Sequence, residues 1–255
     1  MRIQYVSNLA GYVAPSCRIK PLAPVLALLG NIGQPRDPGY ARFLEDCSRR
    51  WQTVFVVAGP TELETSPTGT TVGQQLEFCK NVTVGLPNVK FLHRERADYD
   101  GVAFLGATYW SDLKGLEDLR VPVHERMRVP LEKENDRLRA AGPVDTTNWH
   151  LADWRWIQDS LASSEQEGRP TVVLTHHRAT GHLGPSGGIR AWISGEGLEP
   201  ARSYIDITTV KEDIRDPLLV ASTNEVVRED VEPLKEESSG SVAPRSRGAL
   251  LQNLR

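Results

Sequence analysis

Thr171-Val172-Val173-Leu174-Thr175-His176-His177-Arg178-Ala179-Thr180 is a short apolar run that ends in two adjacent histidines. Val172, Val173 and Leu174 follow Pro170 and have no alternating polar partner, so the stretch predicts a strand buried on both faces. The histidines then stand at its C-terminal end. In α/β proteins that end is where loops leave the sheet and side chains from several strands converge on ligands. A histidine pair by itself is more often a hydrogen-bonded interior feature than a ligand set. What the neighbouring strand ends offer His176 decides between the two.

Similar runs stand upstream. Ile3 to Val6 ends in Ser7-Asn8-Leu9-Ala10, Val25 to Leu29 ends in Gly30-Asn31-Ile32-Gly33, and Val54 to Ala58 ends in Gly59-Pro60-Thr61-Glu62. Between the last two, Phe43, Leu44 and Cys47 recur at helical spacing from about Tyr40 to Trp51, with Asp37-Pro38 as the start. Strand, helix, strand in this order is a crossover unit, which makes the strands parallel and aligns their ends. Asn8, Asn31 and Thr61 are therefore expected along one edge.

Further strands are expected at Val89 to Leu92, Val102 to Leu105, Arg190 to Ser194, Tyr204 to Val210 and Leu218 to Ser222, with a helix over Val72 to Val84. Asp145-Thr146-Thr147 offers caps for a helix reaching about Ser163, whose Trp149, Ala152, Trp156 and Ile157 repeat at helical spacing. These tryptophans read as core packing. The charged, proline-punctuated stretch from Ser111 to Val144 reads as a solvated insertion. Gly181 to Gly188 is glycine-rich without the Lys-Ser/Thr of a phosphate loop and reads as a rim. The whole is expected to be one α/β domain over residues 1–237, followed by a mobile tail over 238–255.

Composition narrows the function classes. The chain has 255 residues, 39% hydrophobic and 25% charged, with a formal net charge of -3. That balance gives no footprint for nucleic acid or an acidic membrane surface. No apolar run approaches the roughly 18 residues that a spanning helix needs, and MRIQYVS lacks a signal-peptide pattern, so an intracellular, cytoplasmic protein is expected. Cys17, Cys47 and Cys79 have neither metal-site nor redox spacing, and read as free thiols of a reducing compartment. Asn81-Val82-Thr83 fits a glycosylation sequon but, without a secretory signal, reads as chance.

The order of the strand-end blocks resembles that of the calcineurin-like metallophosphoesterase family. The blocks are Ser7-Asn8-Leu9-Ala10, Leu29-Gly30-Asn31-Ile32-Gly33, Val57-Ala58-Gly59-Pro60-Thr61-Glu62, Leu174-Thr175-His176-His177 and Trp192-Ile193-Ser194-Gly195-Glu196-Gly197-Leu198. Gly106 to Ser111 and Asn148 to Asp153 also fall in family-like places, and the resemblance spans Met1 to about Pro233. It implies a β-sandwich of two mixed sheets flanked by helices. It also implies two divalent cations that activate water for phosphoester hydrolysis. Two close cations repel, and anionic ligands must compensate before their joint Lewis acidity is of use.

The departures fall on the chemical positions. The resemblance puts Asn31 where the bridging carboxylate belongs and Asn8 at another carboxylate position. Ala10 stands at an imidazole position, Pro60 at the amide ligand and Thr61 at the imidazole that protonates the leaving group. Glu196 and Leu198 occupy the places of two further imidazoles. Of these positions only His176 keeps its chemistry, while Gly30, Gly59, Glu62 and Gly195 keep the backbone frame. Loss of an outer-shell partner alone is worth about tenfold to a hundredfold in metal affinity or activity, so losses on this scale point to a catalytically degenerate member. The expectation is a pseudoenzyme that acts by protein binding or scaffolding, with no cofactor. A rival reading is an active phosphoester hydrolase rebuilt around one divalent cation (Mn, Zn, Mg or Fe) held by His176, His177, His182, Glu62 and Glu196. A third is a non-hydrolytic binder of a phosphorylated ligand, with Asn8, Asn31 and His176 as hydrogen-bonding groups.

Overall fold

The computed structural model describes residues 1–9, 19–65, 69–116, 124–131, 134–178, 189–195 and 203–206. The first run of strands behaves as its sequence dictates. β1 (Arg2–Val6), β2 (Val25–Leu29), β3 (Thr53–Val57) and β4 (Val89–Phe91) lie side by side and parallel. α1 (Pro38–Arg50) crosses from β2 to β3, with Asp37 capping its first turn through Gly39 N–H. β2 and β3 are apolar throughout and wholly buried, apart from Thr53 at the start of β3, as central parallel strands must be.

A second sheet begins with an element the sequence reading missed. β5 (Glu95–Tyr99) pairs antiparallel with β6 (Val102–Ala107) through a turn at Asp100-Gly101. Most of its residues are polar or charged and none is fully buried, so it lacks the apolar signal of its neighbours. β6 pairs parallel with β9 (Thr171–Thr175), and β9 with β10 (Ile189–Ser194). β11 (Ser203–Asp206) returns antiparallel to β1. Among the described residues the sheet orders are β11-β1-β2-β3-β4 and β10-β9-β6-β5. The strand expected at Leu218 to Ser222 and the expected tail lie outside the described residues.

The two mixed sheets pack face to face. Ile3, Val25, Ala27, Phe55 and Val57 from the first meet Phe104, Val172, Leu174 and Ile193 from the second in one buried cluster, and the Phe55 and Phe104 rings stack at 4.3 Å. α1 and α3 (Val72–Val82) cover the outer face of the first sheet, placing Tyr40, Leu44, Cys47 and Cys79 in one cluster with Leu26, Leu28 and Val54. α4 (Pro143–Gln166) lies on the second sheet, with Ile157 and Leu161 against Leu105 and Val173. It starts two residues before the expected caps, since Pro143 can open a helix without losing a hydrogen bond. Trp149 and Trp156 pack on the core clusters, as expected.

The stretch expected to be a solvated insertion is partly core. β7 (His124–Leu131) and β8 (Glu134–Ala141) form a hairpin that buries Met127, Val129 and Ala141 against the first-sheet cluster. Arg126 and Arg128 face outward between them. The alternation is a strand signal that the overall charge of the segment masks. Cys47 and Cys79 are buried free thiols, and burial pushes Cys79 well above the usual range; Cys17 lies outside the described residues. Among the described residues no helix is long and apolar enough to cross a membrane.

Candidate functional site

The C-terminal ends of β1, β2, β3 and β9 bring Asn8, Asn31, Thr61 and His176 together. Asn8 and Asn31 both adopt left-handed backbone, with φ of 58° and 55°. Asparagine enters that region more readily than other side-chain-bearing residues, which suits it to these sharp strand-end turns. Gly30 precedes Asn31 at φ 79°, and a Cβ there would sit 2.6 Å from His176 Nδ1 and 2.7 Å from the Gly59 backbone. Only glycine lets the β2 and β3 ends and His176 approach this closely.

A chain of hydrogen bonds joins the four residues and fixes their orientation. Thr61 N–H donates to an Asn31 side-chain atom at 2.9 Å, which must be Oδ1. The Asn31 Nδ2 then faces the cleft and donates to Asn8 Oδ1 at 3.1 Å, with His176 Nε2 at 3.4 Å. His176 Nδ1 lies 2.8 Å from the carbonyl oxygen of Leu29, so the proton is on Nδ1 and the Nε2 lone pair faces Asn31. Asn8 Nδ2 donates to the Gly195 carbonyl at 3.2 Å and ties the end of β10 to the same site. Asn31 thus stands between Asn8 and His176, its amide hydrogens directed at both.

Glu62 sits beneath this network. It is 0% exposed and belongs to α2 (Pro60–Leu63), a single turn that Pro60 opens. Its oxygens accept from Ile32 N–H at 2.6 Å, Gly59 and Asn31 N–H at 2.9 Å each, and Gly33 N–H at 3.2 Å. Burial pushes its carboxyl above the ordinary range, while these N–H groups pull it back. The carboxylate therefore splices the β2 and β3 loops, with both oxygens committed to backbone.

His177 extends the site toward β6. Its N–H donates to the Thr108 carbonyl at 3.1 Å, and its ring lies 4.7 Å from that of His176 and 5.3 Å from Trp110. Thr175 Oγ1 donates to the His177 carbonyl at 2.8 Å, and so must accept from Trp192 Nε1 and Ser194 Oγ, both 3.0 Å away. Of the candidates singled out in the sequence, Asn8, Asn31, Thr61, His176 and His177 come together. Pro60 frames the turn. Glu62, named in the single-cation set, points into the fold with its oxygens taken by backbone N–H groups. Ala10, His182, Glu196 and Leu198 lie outside the described residues.

Sequence reasoning assigned no role to a second polar group beside this one. Asp153 and His150, on the buried face of α4, bind the loop after β6: Asp153 Oδ2 accepts Tyr109 N–H at 2.9 Å, and His150 Nδ1 donates to the Trp110 carbonyl at 2.5 Å. Arg94 Nε lies 3.5 Å from Asp153 Oδ1. The signal was present, since Thr146, His150, Asp153, Ile157 and Leu161 share one helical face and only the last two are apolar.

The donors at the strand ends can be tested against a pair of divalent cations. Asn8, Asn31 and His176 supply amide groups and one imidazole, all neutral, while the nearby carboxylate of Glu62 is spent on backbone. Two cations need negative charge between them, and these described donors do not fit such a pair. One imidazole lone pair and one amide oxygen could serve as ligands to a single cation only after Asn31 Nδ2 turned away.

No protein-family model matches the chain. An uncharacterised protein of Acanthamoeba polyphaga mimivirus, L509, is 26% identical over 154 residues, 60% of this chain. The match spans 54% of that relative's length. Among solved structures, phosphopantetheinyl hydrolase (PptH) from Mycobacterium tuberculosis aligns over 69% of this chain and 68% of its own at 16% identity and a TM-score of 0.44. A second aligns over 82% of this chain and 96% of its own at 14% identity, also with a TM-score of 0.44.

Proposed function

We propose that the chain has the calcineurin-like phosphoesterase fold and acts as a pseudoenzyme, by binding or scaffolding a protein partner rather than by hydrolysis. The observation that carries the reading is the Asn31 amide between Asn8 and His176. It supplies the cleft with neutral hydrogen-bond donors, and the carboxylate beside it among the described residues, Glu62, has both oxygens engaged by backbone N–H groups rather than turned to a pair of cations. A network of this kind is satisfied without an ion, and an arriving cation meets N–H groups before it meets lone pairs. The resemblance of the strand-end blocks supports the choice of fold, and the two face-to-face mixed sheets accord with it.

The test is metal content. Protein purified without chelator is expected to hold a substoichiometric amount of any transition metal by elemental analysis. Titration with manganese or zinc is expected to leave its thermal unfolding unchanged at micromolar metal. Aryl phosphate mono- and diesters should be hydrolysed no faster than by His176→Ala. One tightly held ion per chain, or hydrolysis lost on His176→Ala, overturns the reading in favour of a rebuilt single-metal hydrolase.

A further inference from the structure

Among the described residues, β4 is the edge of the first sheet and β5 the edge of the second, and the short link Leu92-His93-Arg94 puts both edges on one side of the sandwich. The backbone of β4 is only half used. Val54 N–H donates to the Asn88 carbonyl and Leu92 N–H to the Val56 carbonyl, each at 2.8 Å, so the even-numbered residues turn toward β3 and Val89 and Phe91 turn outward. Val89 N–H is taken by the Leu86 carbonyl in the preceding turn. Phe91 N–H and the carbonyls of Val89 and Phe91 are left along the open edge. A groove of about 660 Å³ runs beside them, walled by Val84 and Leu86 from the turn after α3, by Phe91, and by Glu95 and Ala97 of β5. Val84 is 75% exposed there. Side-chain alternation sets the charge of the groove. Val89 and Phe91 turn into the cluster under α1 and α3, so the exposed Lys90, level with Phe55, turns to the side between the sheets. The neighbouring charges are already matched, Lys80 with Glu95 at 3.0 Å and Arg96 with Asp98 and Glu167. Lys90 has no ion-pair partner among the described residues.

We propose that the open edge of β4 is a docking site for an extended segment of a protein partner, one that alternates apolar and acidic residues and adds to the first sheet as a strand. The outward backbone groups of Val89 and Phe91 supply its main-chain hydrogen bonds. An acidic residue of the segment lies beside Lys90, and the apolar residues on either side of it turn to the other face, onto Val84 and Leu86. Lys90 also decides what does not dock. Two copies of this chain meeting edge to edge would bring Lys90 toward Lys90, and a basic segment would meet the same repulsion. The docking site takes up the partner-binding part of the function proposed above. None of its residues belongs to the strand-end site, so the metal test and the strand-docking test fail separately.

The probe is an acetylated and amidated peptide, Thr-Val-Glu-Val-Thr, compared with its twin Thr-Val-Lys-Val-Thr, each titrated into the isotope-labelled full chain. The acidic peptide is expected to shift the Phe91 amide and slow its exchange, with a dissociation constant of roughly a few hundred micromolar. The Leu92 amide, which already donates to Val56, should keep its protection. The lysine twin should bind roughly fivefold to tenfold more weakly, and Lys90→Glu should invert the order. Val84→Ser, at an exposed position, should weaken both peptides by a similar factor and leave the urea midpoint in place, because it removes apolar contact and not charge. No response at Phe91 up to about 5 mM of the acidic peptide, equal binding of the two peptides, or an order that survives Lys90→Glu overturns the proposal. A Phe91 amide already protected in the free chain overturns it too. Protection that grows with protein concentration assigns the edge to a second copy, and protection that does not assigns it to a stretch of this chain outside the described residues.

Discussion

Glu62 and Asp153 are both carboxylates within 1% of complete burial, and they solve the same problem in opposite ways. Glu62 receives four backbone N–H groups from two loops. Asp153 has fewer N–H partners and leans on Arg94, whose side chain is 36% exposed and 3.5 Å away. In both, loss of water raises the proton affinity, and the partners only offset it. What differs is the consequence of removal. The donors around Glu62 are backbone groups of strand-end loops and cannot turn to water without moving the strands' ends. Arg94 can turn outward.

On this contrast, Glu62→Ala is the more damaging change. It would strand up to four buried N–H groups and open a cavity, and a loss of about 4 kcal/mol or failure to fold is expected by urea denaturation. Glu62→Gln keeps one acceptor oxygen but turns an NH2 group toward N–H donors, so it should recover only part of the loss. If Glu62→Gln were as stable as the parent, the N–H cage would not be holding the loops, and the contrast with Asp153 would collapse.

Asp153 makes a smaller, pH-dependent contribution. Its folded value of about 6 lies above the ordinary 3.8, so the folded chain binds the proton more tightly than the unfolded one. The associated stability is present in full below about pH 4 and is lost as pH rises through about 6. Two units amount to about 3 kcal/mol. The unfolding free energy of Asp153→Asn minus that of the parent should therefore climb by roughly this amount between about pH 4 and about pH 7. A difference that stays flat would mean that Arg94 and the loop amides compensate the carboxylate fully, as the backbone cage is argued to do for Glu62.

The sequence exposed one of these carboxylates and hid the other for a physical reason. Glu62 lies close to Gly59 at the end of an apolar strand, where chain punctuation is visible, and strand-end logic put Asn8, Asn31 and Thr61 on one edge, where the structure also places His176. Asp153 lies in mid-helix beside tryptophans that carry the apolar repeat, and a lone carboxylate there reads as the polar side of that repeat until the helix is docked. Its partners Arg94 and Tyr109 come from separate turns, and no local pattern joins residues 94, 109 and 153. The β7–β8 hairpin escaped for a related reason: its outward arginines dominate the composition, while Met127 and Val129 supply the buried alternation. β5 carries hardly any apolar signal because, among the described residues, it is the edge of its sheet.

Tyr40 supplies the finest test of the contrast. Its side chain is 1% exposed in the core under the first sheet, and its hydroxyl has no hydrogen-bond partner among the described residues. Burial pushes its phenol well above the usual range, and the charge of Glu62 adds to the shift. A neutral hydroxyl left without a partner costs free energy that a phenyl ring of the same shape does not. Tyr40→Phe should therefore stabilise the fold by about 1 kcal/mol, read as a higher urea midpoint with an unchanged slope. If instead it costs about 1 kcal/mol or more, the hydroxyl is donating a hydrogen bond within this core. The backbone cage of Glu62 would be untouched by that outcome, whereas Asp153 leans on a side chain that can turn away.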